Sequence, residues 1–214
     1  MKSIIGTTAI LAAMTAASAA NAQGMSGDWY VSVFAGFSMM SDAEYDATDN
    51  YAGYDEVIFA TELEAGPLIG IAVGTEISPN LRAEAELSYA TYELGESSVD
   101  YSYPGGSGSY SYGDTDGDAS ATYILANLWY DLPNMGGGTY VPYIGGGIGG
   151  VQVEAEDSDD TVAAGQIGAG AQFALGSGFL DVGYRLKVTG ELDFASKIEP
   201  LVSHNLQAGY VMKF

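Results

Sequence analysis

Ser203-His-Asn-Leu-Gln-Ala-Gly-Tyr-Val-Met-Lys-Phe214 is the stretch on which the fold turns. Counting back from the end, Phe214, Met212, Tyr210, Ala208 and Leu206 are apolar, while Lys213, Gln207 and Asn205 between them are polar and Gly209 is small. That is a period of two, the pattern of a strand with one greasy and one wet face. A soluble sheet also produces it. The decision therefore rests on what the other segments turn to either face.

Seven more runs alternate in the same way. Near 29–39, Trp29, Val31, Val33, Ala35, Phe37 and Met39 oppose Ser32, Gly36 and Ser38. Around 68–77, Ile69, Ile71, Val73 and Ile77 oppose Gly70, Ala72, Gly74 and Glu76. The run 81–92 is the most regular, with Ala83, Ala85, Leu87 and Tyr89 against Arg82, Glu84, Glu86 and Ser88. Runs near 122–132 and 140–153 follow, although Trp129 and the glycines Gly145 to Gly150 leave their facing open. In 162–175, Ile167, Ala169, Ala171 and Phe173 oppose Gln166, Gly168, Gly170 and Gln172, and in 179–189, Leu180, Val182, Tyr184, Leu186 and Val188 oppose Asp181, Gly183, Arg185 and Lys187.

The connections alternate in length. Short links lie at 78–80, 133–138 and 176–178, and long ones at 40–56, 93–120, 154–161 and 190–199. Short turns at one end and long loops at the other are the habit of barrels in an outer membrane, and an even strand count puts both termini at the short-turn, periplasmic end. A soluble lipocalin-like barrel would have an apolar interior and a polar exterior. Here the aliphatic face is continuous and the opposite face holds the charges. The expected fold is all-β, an eight-stranded antiparallel up-and-down transmembrane β-barrel.

The start of the chain agrees. Met1-Lys2-Ser3 carries a charge, Ile4 to Ala20 is apolar or small, and Ala20-Asn21-Ala22 fits a secretory cleavage site. Residues 1–22 are expected to be a signal peptide and 23–214 the barrel domain. No other run approaches the roughly 20 apolar residues of a spanning helix. With no cysteine there is no disulfide framework, and 6 Lys+Arg against 28 Asp+Glu, a formal charge of −22, argue against nucleic acid as a partner.

Alternation assigns Glu76, Arg82, Glu84, Glu86, Asp181, Arg185, Lys187 and Lys213 to the lumen. An eight-strand interior is just wide enough for side chains to fill it, and buried charges must pair, so these residues are expected to form an ion-pair plug. The many inward glycines keep a narrow, charge-lined channel as the alternative. Trp29, Trp129, Tyr184 and Tyr210 are candidates for the aromatic girdles at the lipid interfaces.

Tyr30-Val-Ser-Val-Phe-Ala-Gly36, Leu81-Arg-Ala-Glu-Ala-Glu-Leu-Ser-Tyr89, Ala126-Asn-Leu-Trp-Tyr-Asp131, Pro142-Tyr-Ile-Gly-Gly-Gly147, Gly165-Gln-Ile-Gly-Ala-Gly170 and Val182-Gly-Tyr-Arg185 together resemble the successive strands of the opacity-protein-like, or OmpA-like, eight-stranded outer-membrane barrels. The terminal strand, with Leu206, Tyr210, Met212 and Phe214, resembles the signal read by their barrel-assembly machinery. The resemblance implies a location in the outer membrane of a Gram-negative bacterium and contact with outer-membrane lipid and lipopolysaccharide; unlike the family's two-domain members, the chain is expected to have no periplasmic peptidoglycan-binding domain after the last strand. The family comprises surface antigens, adhesins, membrane anchors and small porins.

Function is less legible. Ser203-His204 raises a lipid A-modifying enzyme as a remote alternative, but adjacent strand residues point to opposite faces and cannot bond each other. Asp114-Thr-Asp-Gly-Asp118 opens like an EF-hand and then has Ala119 and Leu125 where glycine and glutamate are needed. A looser divalent-cation site shared with Glu154-Ala-Glu-Asp-Ser-Asp-Asp160 stays open, and no cofactor motif is present. The leading expectation is a non-enzymatic barrel that displays acidic loops as an adhesin or surface antigen, with a narrow porin second. N-terminal sequencing of the exported protein should begin at Gln23, and a retained leader would overturn the assignment. Deleting Phe214 should lower insertion in cells and leave the stability of refolded protein close to normal.

Overall fold

The computed structural model describes residues 29–114, 117–132, 135, 139–155, 158–193 and 197–214, so the expected leader lies outside the described residues. Among these the chain forms β1 (Trp29–Met40), β2 (Ala43–Asp46), β3 (Glu56–Leu63), β4 (Gly66–Ser78), β5 (Leu81–Tyr103), β6 (Gly106–Asp114), β7 (Asp118–Asp131), β8 (Tyr140–Ala155), β9 (Ser158–Leu175), β10 (Gly178–Thr189), β11 (Leu192–Asp193), β12 (Lys197–Ile198) and β13 (Val202–Lys213). No helix among them is long and apolar enough to cross a membrane.

Eight of these strands are the staves of a closed antiparallel barrel, in the order β1, β4, β5, β7, β8, β9, β10, β13. The last stave returns to the first in unbroken register from Tyr30↔Lys213 to Met40↔Ser203. Beyond that ladder the Phe214 amide donates to the Trp29 carbonyl at 3.0 Å. No stave edge is left open, which is the condition for strands to sit in lipid.

Turns at the end nearest the termini, the proximal end, are tight. Pro79-Asn80 joins β4 to β5, and Gly176-Ser177 joins β9 to β10, with Gly176 at φ +62°, a left-handed conformation that glycine enters without a Cβ clash.

The distal end departs from expectation. A transmembrane strand needs about 9–11 residues, yet β5 has 23, β8 has 16 and β9 has 18. The segment 93–120, expected as a loop, is largely ladder: β5 runs on to Tyr103, β6 folds back along it, and β3 and β2 add on its other side. Its Ser/Gly content hides alternating Val99, Tyr101 and Tyr103, of which Val99 and Tyr101 pack with Val57 and Ala47. Strand pairing likewise continues through 154–161, as far as Ala155↔Ser158.

The faces of the staves follow the alternation. Phe37, Ile124, Ile148 and Ile167 stand outside, each more than 60 % exposed, while Lys187 is fully buried inside. Aromatic residues Trp29, Tyr130, Tyr140, Phe173 and Tyr210 all lie near proximal stave ends on the outer face, and the Tyr140 and Phe173 rings stack at 5.4 Å. Trp129, expected in this girdle, is one residue out of phase: it faces the lumen at 1 % exposure, and Tyr130 takes the outer position. Tyr184 does face outward but at mid-stave, where its hydroxyl meets His204 Nδ1 at 2.5 Å.

A cation on the mid-height outer face should be costly. Ile167→Arg is expected to lower unfolding free energy in lipid vesicles by about 2–4 kcal/mol, and Ile77→Arg, at the proximal rim, by about 0–1 kcal/mol. Equal losses in urea titrations would place the apolar belt wrongly.

Candidate functional site

The lumen holds two stacked layers. The proximal and middle layer is polar, as alternation in 81–88 and 181–187 requires. Arg82 donates to Asp131 from Nε and Nη2 at 2.9–3.1 Å and lies over the rings of Tyr30 and Tyr143. Glu84 accepts from Tyr30 Oη at 3.0 Å, Trp129 Nε1 at 3.0 Å and Asn127 Nδ2 at 3.2 Å. Glu86 pairs with Lys187 Nζ at 2.8 Å and also accepts from Gln166, Asn127 and Ser88. At the rim, Lys213 pairs with Glu76.

Arg185 does not take the partner expected of it. No carboxylate lies within ion-pair distance among the described residues. Its guanidinium sits 4.1 Å over the Trp129 ring and donates to Tyr143 Oη at 2.9 Å, and that hydroxyl donates to Asp181 Oδ1 at 2.7 Å. Tyrosine thus relays the charge contact. Asp131 is the partner that sequence reasoning missed, because it closes a stave rather than standing in a charged run. Tyr30 and Tyr143 were also missed, although each alternates against an outward neighbour.

Inward glycines do not open a channel, because large side chains from adjacent staves occupy the space over them. A Cβ at Gly145 would meet the Trp129 ring at 2.6 Å, and one at Gly168 the Arg185 side chain at 2.6 Å. Those at Gly74 and Gly170 would run into Tyr30 and Tyr143. What is left among Tyr30, Glu84, Arg185, Gln172 and Gln207 is a void of about 20 Å³, room for about one water. Arg185 Nε and Gln207 Oε1, buried without a protein partner, line that void and fit such a water.

The distal layer, on which the expectation of an ion-pair plug is silent, is mainly apolar, with Ser38, Thr189 and Ser203 buried beside it. Leu68, Tyr92, Tyr123, Leu125, Val151 and Val153 form one buried cluster with Leu192 and Leu201, which cap it from the last distal connection. Lys187 Nζ lies 4.4 Å over the Tyr123 ring, joining the layers.

The catalytic alternative meets a geometric obstacle. Ser203 is fully buried in the lumen and bonds Asn205, while His204 faces outward to Tyr184. At the distal acidic segments, Asp116, Glu156 and Asp157 lie outside the described residues, and among those described no three carboxylate or histidine groups converge on a metal position.

A closed barrel with an aliphatic belt outside and a hydrogen-bonded polar network inside is a membrane-spanning β-barrel. The chain belongs to the family described as outer membrane protein beta-barrel domain, which matches residues 9–214 and implies an outer-membrane location. Comparison with curated proteins finds no match. Among solved structures it is similar to Neisserial surface protein A, at 19% identity and TM-score 0.58, covering 88% of this chain and 98% of that one. Looser likeness extends to Ail of Yersinia pestis (11%, TM-score 0.45, 86% and 99% covered) and to the outer membrane protease OmpT of Escherichia coli (9%, TM-score 0.48, 87% and 96%).

Breaking the buried pair should separate from breaking the rim pair. Lys187→Met leaves Glu86 with neutral donors only and should cost about 3–5 kcal/mol, reduced to the extent that water enters. Lys213→Met should cost about 0–1 kcal/mol. Comparable losses in chemical unfolding would mean that Glu86 is solvated.

Proposed function

We propose that this protein is a non-enzymatic surface-interaction barrel: a sealed frame in outer-membrane lipid and lipopolysaccharide that holds an acidic, tyrosine-rich sheet beyond the distal, extracellular rim. The observation that carries this reading is the filled lumen, ionic below and apolar above. A conducting barrel keeps a continuous polar path, whereas an apolar layer several side chains thick would exclude ions by dewetting. The name of Neisserial surface protein A agrees with a surface role, although at 19% identity the likeness extends to the fold alone.

On this reading the strand 203–214, with Leu206, Tyr210, Met212 and Phe214, is also what the barrel-assembly machinery engages, and any divalent cation at the distal carboxylates is loosely held. The narrow-porin alternative keeps one support, the water-sized polar pocket beside Arg185.

Single-channel recording in planar bilayers tests the proposal. The wild-type barrel should give conductance near zero, and a Trp129→Ala/Leu192→Ser double variant, which removes side chains from both layers, should give measurable steps. Steady conductance of the wild type would favour the narrow porin instead.

A further inference from the structure

We infer that the distal sheet is a docking surface for an arginine-rich basic peptide segment, with the aromatic groove on β2 and β3 as its guanidinium-binding seat. This names the partner class for the surface-interaction reading and rests on it. Cross-strand pairing sets Tyr45 opposite Phe59, and Val57 opposite Tyr101, so that they share one face of the sheet. From the connection after β2, Tyr51 and Tyr54 fold onto the same face: Tyr51 lies 6.3 Å from Phe59, and Tyr54 lies edge-on to Tyr101 at 5.8 Å and to Tyr103 at 6.1 Å. Tyr45, Ala47, Asn50, Tyr51 and Phe59 line an open groove of about 550 Å³ there. Tyr51, Tyr54 and Tyr103 keep more than 40 % of their surface exposed, on a part of the chain that lies beyond the lipid belt.

Charge says what such a surface attracts. Asp46, Asp49, Asp55 and Glu56 adjoin the groove residues in sequence, and each is exposed. The Asp46 carboxylate accepts from the Thr48 hydroxyl and amide, and these bonds hold it below the usual carboxylate range, so it stays ionised through neutral and mildly acidic pH. Of the cations beyond residue 22, Arg82, Arg185, Lys187 and Lys213 are in the barrel, and Lys197 alone belongs to the distal end. Lys197 stands on β12, which packs against β2, so one cation is set against these four carboxylates and the aromatic faces sit in a field of net negative charge. A flat, weakly hydrated guanidinium both stacks on tyrosine and pairs with carboxylate, whereas an ammonium is a strongly hydrated point charge. The combination of rings and carboxylates selects arginine over lysine, which charge alone would not do.

The test uses the full barrel refolded in nanodiscs, with nona-arginine and nona-lysine as probes at physiological salt. Nona-arginine should bind about fivefold or more tightly than nona-lysine, since each exposed cation–π contact is worth a factor of a few. Tyr51→Leu/Tyr54→Leu, which keeps apolar bulk and removes two rings, should erase that preference and leave nona-lysine binding within about twofold. Asp49→Asn/Asp55→Asn should weaken both peptides alike. Equal affinity for the two peptides, indifference of the preference to the tyrosine pair, or absence of binding would overturn the inference. Any of these would leave the sealed-barrel reading standing, because that reading falls only to wild-type conductance.

Discussion

In the bilayer every backbone N–H and C=O must find its partner within the chain, and the ladder between β1 and β13 is what meets that requirement here. Until those two strands meet, seven antiparallel pairings still leave two open edges. Once they do, the width of the interior is set and the rest of the molecule becomes a problem of filling it. The inversion of polarity follows from the same closure, since lipid replaces water outside and protein replaces lipid inside.

The interior is filled by pairing large side chains with absent ones. Trp129, Tyr30 and Tyr143 are too broad for an eight-stave lumen in which every inward position carries a side chain, and Gly145, Gly74 and Gly170 give them room. Aromatic residues also do electrostatic duty. Glu84 is satisfied by a phenol, an indole and an amide, and Arg185 is held by a ring face, a phenol and two backbone carbonyls, so the two need not touch. Neutral partners of this kind avoid the tight geometric demands of a buried ion pair. Among the described residues, only Glu86 and Lys187 form an ion pair that is fully buried on both sides, with neutral groups completing the shell.

The two ends of the barrel have separate tasks. Among the described residues, the proximal end has two tight turns and an aromatic collar. At the distal end the staves run on as strands, so the displayed surface is a continuation of the barrel ladder. A rigid sheet loses less conformational entropy on meeting a partner than a free loop would. The outward face of the staves is committed to lipid and the inward face to packing. On the proposed function, variation in binding is thereby left to the distal sheet.

The sequence by itself determined the barrel. Period-two alternation in eight runs, charges confined to one phase and the order of short and long connections imply closure, direction and the apolar belt, because the bilayer penalises every other arrangement of these residues. It also placed Arg82, Glu84, Glu86, Arg185 and Lys187 on the inner face. It could not give their partners, since Asp131, Tyr143 and Trp129 meet them across staves as many as 61 residues apart, at a stagger that only the closed register sets. The phase of Trp129 was hidden by its tyrosine neighbour and resolved by the acceptor at Glu84 and the space at Gly145. Only the tertiary structure decided that the distal lumen is apolar, because Leu68, Leu125, Val151 and Leu192 come from distant segments that converge only when the barrel is capped. The distal ladder was likewise invisible, as Ser/Gly-rich strands have weak local preference and are held by pairing with their neighbours.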